Sequence, residues 1–194
     1  MAGDIEIRAK WKTQEVRALM AKLQGKKLNQ ALSVAVNDTA RQVEREAEKN
    51  TAKTLSIPSK RAKLGIWIRP YSTAATLTAV VRGSGSTIPL KAFGAKEEGS
   101  GVTAKIWGAK VHHPGAFIMG GRDGARVPLK MGGHVFHRPG SGRLPIAKSK
   151  GASISEAMSQ EAVSSANETV GVERLQVNIM RQLTRYARVK ARRT

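Results

Sequence analysis

The sequence predicts an α+β fold with a long N-terminal helix, an antiparallel β-sheet carrying a long Gly-rich basic loop, and a C-terminal amphipathic helix. Three observations support this. Apolar side chains recur at helical spacing from Leu28 to about Leu55. Short segments rich in Ile, Val, Thr and Trp, separated by Gly, Ser or Pro, fill roughly residues 65 to 148. Helical spacing then returns from about Val172 to Arg188.

At the N-terminus, DIEIRAK (4 to 10) alternates polar and apolar at Ile5 and Ile7, as a strand with one buried face does. A helical pattern starts near Thr13, with Val16, Leu19, Met20 and Leu23 at helical spacing, and Gly25 marks a break. The stripe that follows is Leu28, Ala31, Leu32, Ala35, Val36, Thr39, Ala40, Val43 and Ala47. Its alanines let a helix or sheet approach closely, so it is expected to face the core, with subunit packing as the other use. Arg41, Glu44, Arg45, Glu48 and Lys49 lie opposite, some of them four residues apart and expected to pair.

Pro58 is placed to open a short helix ending near Gly65. GIWIRP, TLTAVVRGS, IPLKAFGAK, VTAKIWGAK and GAFIM then read as strands of one antiparallel sheet, with RGSGS (82 to 86) and KEEGSG (96 to 101) as hairpin loops. GGRDGARVPLKMGGHVFHRPGSGR is too glycine-rich and basic for a compact core, and predicts a flexible loop or an extended arm over about 120 to 142, one expected to order on assembly. Leu144, Pro145 and Ile146 return to apolar structure, and a helix starts near Ser153 or Ser155. In the final helix Leu175, Ile179, Leu183 and Tyr186 share one face, and a basic tail follows from about 188 to 194. There is no internal repeat, and the 194 residues read as a single domain.

Hydrophobic residues make up 40% but aromatics only 4%, so the core rests on Ala, Val, Leu and Ile and is expected to be completed by neighbouring subunits. The lack of cysteine excludes disulfides, thiolate metal sites and cysteine nucleophiles. MAGDIEIRAKWK has no apolar run of a signal peptide, and no stretch approaches the roughly 18 apolar residues of a membrane span. A soluble protein of intracellular origin, without a membrane partner, is expected.

The formal charge is +20, from 34 Lys and Arg against 14 Asp and Glu. Such an excess costs self-repulsion and usually answers a polyanion, most often nucleic acid. The cations fall into three groups. Lys53, Lys60, Arg61, Lys63 and Arg69 lie where the long helix meets the sheet. Arg122, Arg126, Lys130, Arg138, Arg143, Lys148 and Lys150 span the loop, and Arg181, Arg185, Arg188, Lys190, Arg192 and Arg193 crowd the C-terminus. With little aromatic interleaving, this pattern suits contact with phosphate backbone and neither base stacking nor sequence-specific reading.

Catalytic patterns are weak by comparison. His112, His113, His134 and His137 cluster, but adjacent His112 and His113 point to opposite faces of an extended segment, so only one can join a shared metal site. They read as loop or interface histidines. The sequence has no G-x-S-x-G elbow and no G-x-x-x-x-G-K-[ST] phosphate loop, and Glu97 and Glu98 sit in an expected hairpin loop. The expectation is a non-enzyme without cofactor.

HPGAFI (113 to 118), then a basic loop, RLPIAKSKGASISEAM (143 to 158) and ERLQVNIMRQLTRYARVKAR (173 to 192) together resemble the minor tail protein Z family of lambda-like tailed phages and prophages. KLNQALSVAVNDTARQVEREAEKN (27 to 50) is similar to that family's first long helix, so the likeness covers almost the whole chain. The resemblance implies a tail completion protein of the virion neck, made in the host bacterial cytoplasm. It would form a hexameric ring around the DNA channel and join the tail to the head. Its partners would be copies of itself, a tail terminator or tail-tube protein, a head-closure or connector protein, and genomic double-stranded DNA held without sequence specificity. On that expectation Arg122, Arg126, Lys130, Arg138, Arg185, Arg188, Arg192 and Arg193 are candidates for the DNA channel. Leu28, Leu32, Ala35, Val36, Val43, Phe117 and Met119 are candidates for the assembly interface. The alternative is a stand-alone basic nucleic-acid-binding protein, ribosome- or nucleoid-associated.

Overall fold

The computed structural model describes residues 4–5, 14–22, 25–121 and 126–191. Helix and antiparallel sheet are both present, in the order helix, sheet, helix. The strand expected over 4 to 10 is seen as β1 (Asp4–Ile5), and its remainder lies outside the described residues.

Helix α1 (Gln14–Lys22) precedes α2 (Lys26–Leu55), thirty residues free of Gly and Pro. Gly25 with φ 61° separates them, and Ser56 ends α2 in the left-handed region two residues before Pro58. The predicted stripe is the buried face: Ala31, Ala35, Val43 and Ala47 are fully enclosed. The opposite face pairs differently from expectation. Arg41 and Lys49 reach Asp38 and Glu46 three residues back, at 3.4 Å each, because the four-residue spacings set Arg41 against Arg45 and Glu44 against Glu48.

Helix α3 (Ser59–Lys63) follows Pro58 as expected. The single sheet expected next is instead five small antiparallel sheets among the described residues. β2 (Ile66–Ile68) and β1 flank β3 (Val81–Gly83). β4 (Thr87–Pro89) pairs with β12 (Lys150–Ser153), so RGSGS links two sheets and is not a hairpin loop. IPLKAFGAK leaves the strand at once for a 3-10 helix, Leu90–Phe93, before β5 (Lys96–Glu98). KEEGSG does close a hairpin, from β5 to β6 (Gly101–Ile106), but with Glu97 and Glu98 in the strand. A tight turn at Trp107 and Gly108, both with positive φ, leads to β7 (Ala109–Pro114).

Beyond β7, Gly115 (φ 68°) turns the chain, and Ala116 and Phe117 become buried. β8 (Met119–Gly120) pairs with β9 (Val127–Pro128), and β10 (Phe136–His137) with β11 (Ala147–Lys148). The stretch judged too basic for a core therefore contributes Val135, 0% exposed, and Phe136. Glycines there serve short turns between apolar anchors. Leu144, by contrast, is 74% exposed.

Ser153 caps α4 (Ile154–Met158): its hydroxyl accepts from the Glu156 N–H at 3.2 Å, while the Glu156 carboxylate accepts from the Ser153 N–H at 2.7 Å. The final helix, α5 (Glu161–Ala191), begins well before the expected Val172. Its first half buries Val163 and Asn167 amid Ser, Glu and Thr, so no apolar period announces it.

Two cores result. The larger joins the second half of α2 to α3, α4 and the sheets through Val43, Leu55, Ile88, Leu90, Phe93 and Val102. The smaller joins α1, the first half of α2 and α5 through Val16, Ala31, Ala35, Ile179 and Leu183. Leu175 and Tyr186 pack against it, as their spacing predicts. Among the described residues no helix is long and apolar enough to cross a membrane.

Candidate nucleic-acid interface

Helix α5 is held against α2 by a polar seam. Asn178 donates to Thr39 Oγ1 at 3.0 Å and Gln42 Oε1 at 3.3 Å, Gln182 donates to Asp38 at 2.8 Å, and Asn50 donates to Asn167 at 3.1 Å. Positions rise along α2 as they fall along α5, so the helices run antiparallel. Because these amides are buried or half-buried, a slip in register would leave them unsatisfied. The seam fixes which way α5 faces.

With Ile179 and Leu183 turned inward, Arg174, Arg181, Arg185 and Arg188 lie exposed along one flank of α5. Their spacings of seven, four and three keep them on one stripe, about 21 Å long at 1.5 Å per residue. Arg181 also reaches Asp38 at 2.8 Å. Arg174 was not singled out from the sequence, although its seven-residue interval to Arg181 was the available signal. Arg192 and Arg193 lie outside the described residues, as does the side chain of Lys190.

The loop group is divided. Arg122 lies outside the described residues. Arg126 is not a free channel cation: it is half-buried, pairs with Glu97 and donates to the Met119 carbonyl at 3.1 Å. Glu97 also accepts from the backbone N–H groups of Ile118 (3.3 Å) and Met119 (3.0 Å). Lys130, Arg138, Arg143, Lys148 and Lys150 are exposed, with the Arg138 guanidinium 4.6 Å from the Phe117 ring centre. Of the first group, Lys53, Lys60, Lys63 and Arg69 are exposed, while Arg61 borders a cleft of about 830 Å³ with Lys91, Lys105 and His134. Lys91 donates to the Gly132 carbonyl. Among the described residues, carboxylates pair only with Arg41, Lys49, Arg126 and Arg181.

The assembly candidates are largely enclosed by the chain itself. Ala35 and Val43 are 0% exposed and Phe117 is buried, so none offers area to a neighbouring subunit. Leu28, Leu32, Val36 and Met119 are half-buried. The close approach that the alanines permit is used by α5 of the same chain. Exposed apolar area lies instead at residues such as Trp67, Tyr71, Trp107 and Val177.

The histidines divide by strand geometry. His112 opposes Thr103, with 3.3 Å from Nδ1 to Oγ1, and His113 opposes Val102. A Cβ at Gly101 would lie 2.3 Å from the His113 carbonyl, so glycine is required for β6 to approach here. His137 Nδ1 lies 3.0 Å from Ser149 Oγ. Burial, then Lys148 and Lys91, hold the His134 imidazole below the ordinary value. No group of three or more His, Asp or Glu placed to hold a metal occurs among the described residues.

Comparison with protein families, curated proteins and solved structures finds no match to this chain.

Proposed function

We propose that the chain is a structural protein of a tailed-phage neck, a tail completion protein whose copies form a hexameric ring joining the tail to the head around the DNA channel. The arginine stripe of α5 supports this most. It lies within ERLQVNIMRQLTRYARVKAR, one of the segments that resemble the minor tail protein Z family, and it presents exposed cations on a rigid helix.

A sixfold repeat of such stripes gives a positive lumen or rim, which favours a DNA end through phosphate contacts without reading bases. The proposed partners are other copies of the chain, a tail terminator or tail-tube protein, a head-closure or connector protein, and genomic double-stranded DNA. In this reading the role is structural and non-enzymatic, its place is the virion neck, and exposed residues such as Trp67 and Tyr71 supply apolar contacts to neighbours. Deleting the gene from a phage or prophage that carries it tests the role. Filled heads and separate tails, restored to whole virions by the intact chain, are expected; normal virions in its absence would refute it. Tight duplex binding by a chain dispensable for virion assembly would favour the stand-alone nucleic-acid-binding protein.

A further inference from the structure

His113, His137, Arg138, Ser149 and Lys150 line a cleft of about 570 Å³ whose lining contains no carboxylate. Three separate segments are held together to build it. His113 is fixed by its register with Val102, in a hairpin that Gly101 allows to close. His137 follows Phe136, which exchanges backbone hydrogen bonds with Phe117 at 2.8 and 2.9 Å. Ser149 is held by its N–H to the Val135 carbonyl at 2.9 Å, and Lys150 by pairing opposite Pro89. The Phe117 ring supports the Arg138 guanidinium at the rim.

One ring nitrogen is left for a ligand. The His113 ring lines the cleft, but its Nε2 atom is closed off from anything the size of a water, so this ring serves as wall. His137, its Nδ1 engaged by Ser149, keeps Nε2 for another partner. The Arg138 guanidinium, the Lys150 ammonium and the His137 imidazole therefore border one cleft. A planar carboxylate offers two oxygens to such a set, whereas a phosphate offers three or four in a tetrahedral arrangement. The volume also leaves room for whatever the phosphate is esterified to.

We propose that this cleft is a phosphate site, taking either a free phosphate or one phosphate of a nucleic-acid backbone. Its backbone arm rests on the neck reading, in which Arg138 is a channel candidate, whereas its free-phosphate arm does not.

The test is histidine NMR of the full chain titrated with inorganic phosphate, with acetate at matched ionic strength as control. Saturable shifts of the His113 and His137 ring signals are expected, with His112 unmoved. Arg138→Gln and Lys150→Gln, both at exposed positions, should each weaken phosphate binding about tenfold while leaving the His112 signal unchanged and moving the melting temperature by no more than about 3 °C. Adding a short DNA duplex then distinguishes the sources: displacement of phosphate from the cleft assigns it to backbone, and co-occupancy assigns it to a free phosphate. Absence of a saturable shift, an equal response to acetate, or unchanged affinity in both variants would overturn the proposal.

Discussion

The side-chain amide of Asn178 on α5 donates to Thr39 Oγ1 on α2 across 3.0 Å, joining residues 139 positions apart. Thr39 in turn donates to the Ala35 carbonyl at 2.9 Å, and Asn178 also reaches Gln42. Replacing Asn178 by Ala removes both donors from a residue only 1% exposed. A loss of about 1–3 kcal/mol is expected in urea unfolding, with little change in the urea dependence itself. A loss under about 0.5 kcal/mol would show that the seam does not hold the helix pair.

Glu97 secures the beginning of the basic loop through the Ile118 and Met119 amides and Arg126. In Glu97→Ala, amide exchange at Ile118 and Met119 should quicken about tenfold while the α2 core amides stay protected. Equal acceleration throughout would mean that Glu97 supports global stability and not this local attachment.

Much of the helical architecture was legible in the sequence, and the reasons are specific. Residues 26–55 lack Gly and Pro and carry an uninterrupted apolar stripe, while the Ser153 and Glu156 spacing signals a capped helix start. The first half of α5 was hidden because it packs on α2 partly through Asn167, whose burial contributes nothing to an apolar period. The single expected sheet divided because its strands span two to six residues, too short to fix which strand pairs with which. The candidate surface was legible as charge but not as geometry. Arg185 and Arg188 are exposed as expected, yet Arg126 is committed to Glu97, a carboxylate that a hairpin-loop reading leaves free. The enclosure of Ala35 and Val43 likewise depends on where α5 docks, which no local pattern encodes.

The Glu44 carboxyl is pushed up from its ordinary value, first by burial and then by Glu48, against the pull of Lys63, Arg41 and Arg45. A raised acid value means that the folded chain holds this proton more tightly than the unfolded chain, so its contribution to stability is present at low pH and lost as pH rises through the folded value. Glu44→Gln should therefore raise the melting temperature at neutral pH, with the gain fading as pH falls through the raised folded value and gone below about pH 4. A gain that persists undiminished in acid would exclude ionisation as its cause.

If the α5 stripe contacts phosphates, the triple variant Arg174→Gln, Arg185→Gln, Arg188→Gln should weaken duplex binding uniformly across sequences. Fluorescence anisotropy over a range of salt concentrations should show the salt slope reduced by about 3, near one per lost contact. An unchanged slope would make the stripe a solvated face with no part in DNA contact.

Electron microscopy of the purified chain mixed with tail tubes, together with light scattering of the same sample, tests whether the chain completes tails as a ring. The proposal predicts six-subunit rings with an open channel seated on tube ends. A chain that stays monomeric at every concentration and leaves the tube ends bare would contradict it.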